Sequence, residues 1–410
     1  MASSKPPQTT LVFENLPNEA NLNLWLMGID TQFFNINNIF RGIKLIPAGI
    51  HLFHYSIPPG NGTINDNELP SETIISSSSR LGFWFDCKDN DVLILRWDDA
   101  LERLNIINPH KDEEQLNYTK CLNSIGDIYS YMVSYPEDAS KWLNTSISYI
   151  DFEVIQEFLP CDNDMYSGDI TSMMPSKEEN MVLLDALEKV NPQASSSLED
   201  QSDKELRYTI IQFKINKENT ESVEEVTENY LDKSWYLSQL YGNDIELMFG
   251  ELQLSFINFV ILGNFCSGLQ WLNIIKLISM SKNFMKSSQK VALDFLTIFQ
   301  HHLDKLPKEY LIDDLALNNS LDLQTYVSVL ENFARDMFPK DTWDLNGCCG
   351  KMKLSGFIKE KWHRILEINK SKFNIDFEKL DKNRTDENQI EVYDLNDYDE
   401  NDEDAPAIVG

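Results

Sequence analysis

The sequence lacks the short motifs by which many enzymes are recognised. No GxSxG, HExxH, Walker-type or GxGxxG pattern occurs in its 410 residues. His51 and His54 stand three apart in a predicted strand, so their side chains point to opposite faces. His301 and His302 are adjacent in a predicted helix, a spacing that suits no common metal motif. We therefore predict no catalytic, metal or cofactor site, and interpret these histidines as core or surface residues.

Basic residues are few. The chain has 35 Lys and Arg against 66 Asp and Glu, a formal net charge of −31. Affinity for nucleic acid rests largely on Lys and Arg that displace counterions from phosphates. Direct binding of nucleic acid is therefore not expected, and a role in RNA processing would have to act through protein contacts.

Disulfide and targeting signals are also missing. The six cysteines are four scattered residues and the pair Cys348 and Cys349, with no CxxC spacing. The first ten residues are polar and contain proline, which does not fit a secretory signal. These features indicate the cytoplasm and the nucleus. Nuclear entry would need a partner or a cryptic signal, because no Lys and Arg cluster is present.

The most apolar stretch, residues 244–281, predicts two helices packed as a hairpin. Its first half is apolar on nearly every side, and a second periodic run follows a turn signal at Gly263 and Asn264. A membrane span needs about 20 largely apolar residues. Polar residues interrupt this run too often for that, so we expect an enclosed hairpin at the centre of a helical domain; the interrupting residues are Glu251, Gln253, Asn258, Asn264 and Gln270.

The pattern of the whole chain predicts an α+β protein, with an N-terminal antiparallel β domain followed by an all-α C-terminal domain. Short β-rich runs separated by Pro, Gly, Asn and Ser dominate the first part, and helical periods dominate from residue 221 onward. Residues 207–215 alternate and predict one further strand. The predicted segments are a disordered N-terminus (1–21), a β-rich domain (22–172), a flexible linker (173–206), a strand plus helical domain (207–370) and an acidic disordered tail (371–410).

Aromatic residues divide into core and contact candidates. Trp84 and Trp271 lie in strongly apolar elements, which favours the core. Trp235 and Tyr236 follow the charged pair Asp232 and Lys233. We interpret Trp235 and Tyr236 as residues of a domain junction or of a partner-binding rim, where aromatic anchors are enriched.

Two further candidate sites involve the second hairpin helix and the tail. Ser279 and Ser281 close that helix, where an added phosphate would meet the negative end of the helix dipole. They are candidate phosphorylation sites or ordinary polar residues ending a helix. Within the tail, residues 389–395 alternate and could add a strand to a partner, or the tail could only keep the chain soluble; the candidate contacts are Ile390, Val392, Tyr393 and Leu395.

Several runs resemble one known family in the same order along the chain. They are MGID (27–30), GIKLIPAGIH (42–51), GFWFDC (82–87), YLDKSWYL (230–237) and MFGELQLSFINFVILGNFCSGLQW (248–271). Together they resemble the A1 cistron splicing factor (Aar-two) family, over about residues 27–335. The acidic tail is outside this resemblance.

The resemblance implies a non-catalytic assembly factor for the spliceosomal U5 small nuclear ribonucleoprotein (snRNP). It implies binding to the large U5 scaffold protein at its RNase H-like and Jab/MPN-like domains, which delays engagement of the helicase and of RNA. We expect no membrane partner, and a monomer before the complex forms. The alternative from another class is a hydrolase or other enzyme with a site between the two domains.

Overall fold

Ten strands form the first part of the chain in a computed structural model, which describes residues 8–17, 25–57, 79–107, 112–136, 141–161, 165–190, 204–215, 222–242, 244–311, 321–338 and 352–376. The strands are β1 (Thr9–Glu14), β2 (Leu26–Ile29), β3 (Gln32–Asn35), β4 (Gly42–Ile46), β5 (Gly49–Ser56), β6 (Arg80–Cys87), β7 (Val92–Asp98), β8 (Arg103–Ile106), β9 (Met132–Ser134) and β10 (Ile170–Thr171).

The described strands form two five-stranded sheets. Sheet A has the order β8-β7-β1-β4-β9, and sheet B has the order β10-β6-β5-β2-β3. All pairs in sheet B are antiparallel, whereas β1 pairs with β7 and β4 with β9 in parallel. The predicted α+β class is confirmed. The antiparallel description fits sheet B, while sheet A is mixed.

Strand β1 corrects the prediction of a disordered N-terminus at residues 1–21. Its residues Thr9–Glu14 form the central strand of sheet A, between β7 and β4. Leu11 and Val12 are buried on opposite sides of that sheet, in two different clusters. A short run of β-branched and aromatic residues thus suffices for a strand here, because both of its faces are covered.

Eleven helices are described, and most follow the strands. They are α1 (Asp112–Ile128), α2 (Phe152–Phe158), α3 (Lys177–Val190), α4 (Val223–Leu231), α5 (Ser234–Tyr241), α6 (Ile245–Leu262), α7 (Phe265–Ser279), α8 (Lys282–Ser287), α9 (Gln289–Lys305), α10 (Leu323–Asp336) and α11 (Met352–Lys372). A short π-helical turn spans Trp142–Ser146, and 3₁₀ turns span Tyr129–Tyr131 and Lys308–Leu311.

The predicted hairpin is confirmed as α6 and α7. Helix α6 ends at Gly263, which has φ +70°, and the Asn264 side chain accepts a hydrogen bond from the Ser267 amide to begin α7. Helix α6 is long and apolar enough to cross a membrane by length and composition alone, but 78% of it is buried inside the fold. It is therefore the central core helix that the sequence predicted.

The prediction of a strand at residues 207–215 is wrong. The segment is irregular, forms no ladder with a described strand and ends in a turn at residues 213–214. Tyr208 and Ile211 are buried, and side chains of the helical part satisfy several of its backbone groups. A segment that packs one side on the core without joining a sheet shows the same alternation of apolar and polar residues as a strand, so the sequence pattern does not distinguish the two.

Several predictions fall wholly or partly outside the described residues. These are the acidic tail beyond residue 376, residues 191–203 of the predicted linker, and Cys348 and Cys349. Residues 177–190 of that linker form helix α3. The remaining domain boundaries stay predictions.

Candidate functional site

Sheet B and helix α6 meet in one continuous core. The Nε1–H group of Trp84, in β6, donates to Oδ1 of Asn258 at 2.9 Å. Arg80, at the start of β6, donates to the carbonyl oxygen of Ile261 at 2.7 Å. Trp84 and Trp271 are both fully buried in the same cluster, as predicted. The β-rich and helical parts are thus joined by direct hydrogen bonds as well as by packing.

Gln253 holds a loop of the N-terminal part against α6. Its Oε1 atom accepts from the Tyr149 amide at 2.8 Å. Its Nε2 group donates to Oγ of Ser148 at 3.1 Å and to the carbonyl oxygen of Thr145 at 3.3 Å. The polar side chain is therefore satisfied inside the core, as buried amides require.

Glu251 performs the same role for the segment before α4. Its carboxylate accepts from the amide and hydroxyl of Thr209 at 2.7 and 2.8 Å. Tyr241 and Gln270 each donate to it at 2.8 Å. Burial raises the pKa of Glu251, and these hydrogen bonds oppose the rise. The carboxyl group is completely enclosed, so it joins segments of the chain and faces no substrate.

His51 and His54 are core residues, one of the two placements predicted for them, whereas His301 is half-buried. His51 places Nδ1 2.8 Å from Oδ2 of Asp30 and Nε2 2.9 Å from the Pro47 carbonyl oxygen. His54 is buried with Nε2 3.0 Å from the Asp30 carbonyl oxygen, and burial lowers its pKa to about 3.

His302 belongs to the helical part and is equally enclosed. Its Nδ1 atom accepts from Nε1–H of Trp271 at 3.1 Å, and its ring stacks on Phe256 at 3.9 Å. Burial holds its pKa well below the usual range. Among the described residues, no group of three or more His, Cys, Asp or Glu side chains could hold a metal ion.

Two surface depressions contain polar groups. One of about 270 Å³ lies beside the end of β1 and is lined in part by Asn15, Asn37 and Arg41. The other, of about 720 Å³, lies along α9 and α11 and includes Gln300 and Lys361. Neither is lined by any of the buried acids or histidines described above. In the second, the hydrogen bond to Glu367 raises the pKa of Arg364, and the two side chains form an exposed ion pair.

The predicted contact residues Trp235 and Tyr236 lie in different environments. Tyr236 is buried, and its hydroxyl accepts from the Gln212 amide at 2.9 Å, so it is a core residue in the folded chain. Trp235 is half-buried, and its Nε1–H donates to the Asn229 carbonyl oxygen at 3.0 Å. A partner-binding role stays a prediction for Trp235, whereas the burial of Tyr236 argues against one for its side chain.

Lys233 accounts for the charged appearance of this region in the sequence. Its side chain points inward, is fully buried, and donates to the Ile215 carbonyl oxygen at 3.0 Å. The ammonium group lies 5.3 Å from the ring centre of Tyr230 and 5.8 Å from that of Trp235. Burial lowers its pKa. Lys233, a charged residue that would be expected at the surface, is therefore part of the interior.

Helix α4 has an exposed apolar face, formed by Val226, Tyr230 and Leu231, that was not predicted from the sequence. The exposed fractions of these side chains are 40%, 58% and 66%. Val226 and Tyr230 stand four apart, a helical spacing, but the helix turns its other side to the protein. Nothing in the nine-residue pattern says which side is covered.

The predicted phosphorylation sites are enclosed. Ser279 and Ser281 are fully buried, and their hydroxyls donate to the carbonyl oxygens of Lys276 and Leu277, each at 2.7 Å. Phosphorylation of either serine therefore requires this turn to open first. The predicted tail contacts lie outside the described residues; they are Ile390, Val392, Tyr393 and Leu395.

Comparison with known proteins finds one family over both parts of the chain. Residues 7–160 match the family model described as the AAR2 N-terminal domain, and residues 208–378 match the AAR2 C-terminal repeat region. The A1 cistron-splicing factor AAR2 of Saccharomyces cerevisiae is 28% identical over 368 residues, which cover 82% of this chain and 90% of that protein. The human protein AAR2 homolog is 21% identical over 345 residues, which cover 80% and 84%. The mouse homolog is 23% identical over 347 residues, which cover 78% and 82%.

Proposed function

The chain belongs to the AAR2 family of splicing factors, and on that premise we propose that it is a non-catalytic assembly factor for the spliceosomal U5 snRNP. The proposed partner is the large U5 scaffold protein, bound at its RNase H-like and Jab/MPN-like domains. The proposed effect is to delay engagement of the helicase and of RNA while the particle matures. The chain would act in the cytoplasm and the nucleus, as a monomer before the complex forms.

The observation that carries this proposal is the match of both family regions on one chain whose two parts share a core. Asn258, Gln253 and Arg80 connect the β-rich and helical parts through hydrogen bonds that are each at least partly buried. A protein whose two parts are already fixed relative to each other loses little conformational entropy when it binds a partner. This supports the idea of a preformed body that contacts two domains of a scaffold at once.

The acidic composition supports the same proposal. A net charge of −31 repels RNA and favours a basic protein surface. A scaffold surface that later meets RNA is expected to be basic, so an acidic ligand seated there would delay RNA both by charge and by occlusion.

The enzyme alternative receives no support from the described residues. The place between sheet B and α6 is occupied by buried side chains, among them Trp84, Trp142 and Leu262. The buried titratable groups described above are hydrogen-bonded within the fold. The Saccharomyces cerevisiae relative is named a splicing factor.

The proposal is tested by binding of the full chain to the two scaffold domains, separately and joined. Isothermal titration calorimetry at moderate and at high salt should show that the chain forms a one-to-one complex with the RNase H-like domain and with the Jab/MPN-like domain. The joined domains should bind more tightly than either alone, because the second contact becomes intramolecular. A helicase that needs the same scaffold domain should be displaced. Absence of binding to the separate domains and to the joined pair would overturn the proposal.

A further inference from the structure

Helix α4 exposes large apolar residues to solvent, while part of its polar side lies against the protein. Glu225, Asn229 and the following Asp232 are half-buried, whereas Val226, Tyr230 and Leu231 are exposed. Water-facing sides of short surface helices are normally polar. Three large apolar side chains clustered on a helix of nine residues therefore indicate a surface that is covered in the functional state.

This face is held in a fixed position. The Trp235 indole donates to the Asn229 carbonyl oxygen, and Lys233 lies against the Tyr230 ring. The carboxylate of Asp232 accepts from the Ser234 amide at 2.9 Å and from the Asn283 amide at 3.0 Å, which ties the end of α4 to α5 and α8. A preorganised apolar face loses little ordering entropy when a partner covers it.

The charged residues of α4 itself have one sign. Glu224 and Glu228 are exposed on α4, and the helix itself contains no basic residue. The adjacent Lys233 is buried and does not offset them at the surface. The exposed apolar residues of α3 differ, because Lys189 and Asp185 form an ion pair beside them at 2.6 Å. Helix α4 thus combines exposed apolar area with acidic neighbours and has no basic residue of its own, whereas α3 contains Lys177 and Lys189.

We propose that the outer face of α4, formed by Val226, Tyr230 and Leu231 and bordered by Glu224 and Glu228, is a docking site for a basic protein surface with an apolar recess. The proposal rests on the function proposed above and assigns this face to the contact with the scaffold protein. Apolar contact supplies the affinity, and the glutamates favour a partner with Lys or Arg around the recess. An anionic membrane or RNA is disfavoured by the same charges.

The test compares three double variants of the full chain in titrations against the joined scaffold domains. Val226→Ser with Leu231→Ser removes apolar contact and should weaken binding at least tenfold at moderate and at high salt. Glu224→Lys with Glu228→Lys should weaken binding at low salt, and the loss should shrink as salt rises. Val182→Ser with Leu183→Ser on α3 removes the same two residue types from another exposed helix, and should change the dissociation constant less than twofold.

Thermal melting followed by circular dichroism checks that each variant is folded, because substitutions at exposed positions should leave the melting temperature nearly unchanged. If the parent binds the scaffold and the α4 variants bind equally well, the inference is wrong while the proposed function stands. If the α3 control loses as much affinity as the α4 variant, the assignment to α4 is likewise overturned. If the parent binds no scaffold domain, the proposed function and this inference fall together.

Discussion

Helices α6 and α4 use apolar and polar residues in opposite ways. Helix α6 is the most apolar described helix, yet its polar side chains Glu251, Gln253 and Asn258 are buried and bind other segments. Helix α4 is short and acidic, yet its apolar side chains face solvent.

The difference teaches that polarity alone does not assign a residue to the inside or the outside of this protein. In α6, a buried polar residue is tolerated because its hydrogen-bonding groups have partners in other segments. In α4, the cluster of exposed apolar side chains indicates a further partner, because contact of apolar surface with water is unfavourable. Helix α6 therefore holds the fold together, and α4 provides a surface for a partner.

The largest expected effect comes from Glu251. Glu251→Ala leaves the Thr209 amide, Tyr241 and Gln270 without their shared acceptor, and should lower the free energy of unfolding by about 3 to 5 kcal/mol. Glu246→Ala, on an exposed position of the same helix, should cost less than about 1 kcal/mol. Urea unfolding measures both. Equal effects would show that the buried carboxyl group does not organise the core.

A similar but more variable loss is expected from the apolar side of the hairpin. Phe256→Ala or Leu272→Ala should cost about 2 to 5 kcal/mol, because both side chains are buried and a cavity would remain. Chemical denaturation followed by tryptophan fluorescence reports the loss. A cost below about 1 kcal/mol would mean that the site is effectively open to solvent.

Acid should destabilise the fold through His54 and His302. Burial lowers the pKa of both below the ordinary value of 6.5, and that of His54 to about 3. The unfolded chain therefore binds more protons below pH 6.5, and stability should fall from there toward pH 3. Between about pH 6.5 and pH 5 the loss caused by His54 is about 1.7 kcal/mol, and His302 adds a loss in the same direction.

The raised pKa of Glu251 acts in the opposite direction, since its neutral form is favoured in the folded state. The free energy of unfolding in urea is therefore measured at about pH 7 and about pH 5 for the parent and for each variant, and the changes between the two pH values are compared. His302→Gln should lose less stability on acidification than the parent. His363→Gln, at an exposed site, should keep the slope of the parent. Identical slopes for His302→Gln and the parent would contradict the prediction.

The smallest effect on stability is expected on α4. Val226→Ser with Leu231→Ser should change the free energy of unfolding by less than about 0.5 kcal/mol, because exposed side chains lose little on replacement. Thermal melting checks this against the parent. A loss comparable with that of Phe256→Ala would show that the face is packed, and the contrast between the two helices would disappear.

The sequence predicted the central hairpin because a turn signal at Gly263 and Asn264 separates two long apolar runs. It also located polar residues on α6, but their partners Thr145, Tyr149 and Thr209 are distant in sequence. No local pattern encodes such pairs.

The remaining errors have a common physical origin. Strand β1 and the segment 207–215 were predicted wrongly, and the inward side chain of Lys233 was not predicted, since each depends on what packs against it. The outer face of α4 was missed for the same reason. Periodicity gives the faces of an element, while the tertiary fold decides which face is covered.

The central position of β1 has a consequence for biosynthesis. Its parallel partner β7 begins at Val92, so the strand at Thr9–Glu14 leaves the ribosome well before the segment that covers its edge. At about 5 to 20 residues per second, that interval is on the order of 4 to 16 seconds. During it one edge of the apolar strand β1 lacks its partner, although β4 is already available to pair with the other edge. Sheet A can therefore close only after synthesis has passed β7, and the N-terminal strand is the segment that a ribosome-associated chaperone would have to protect.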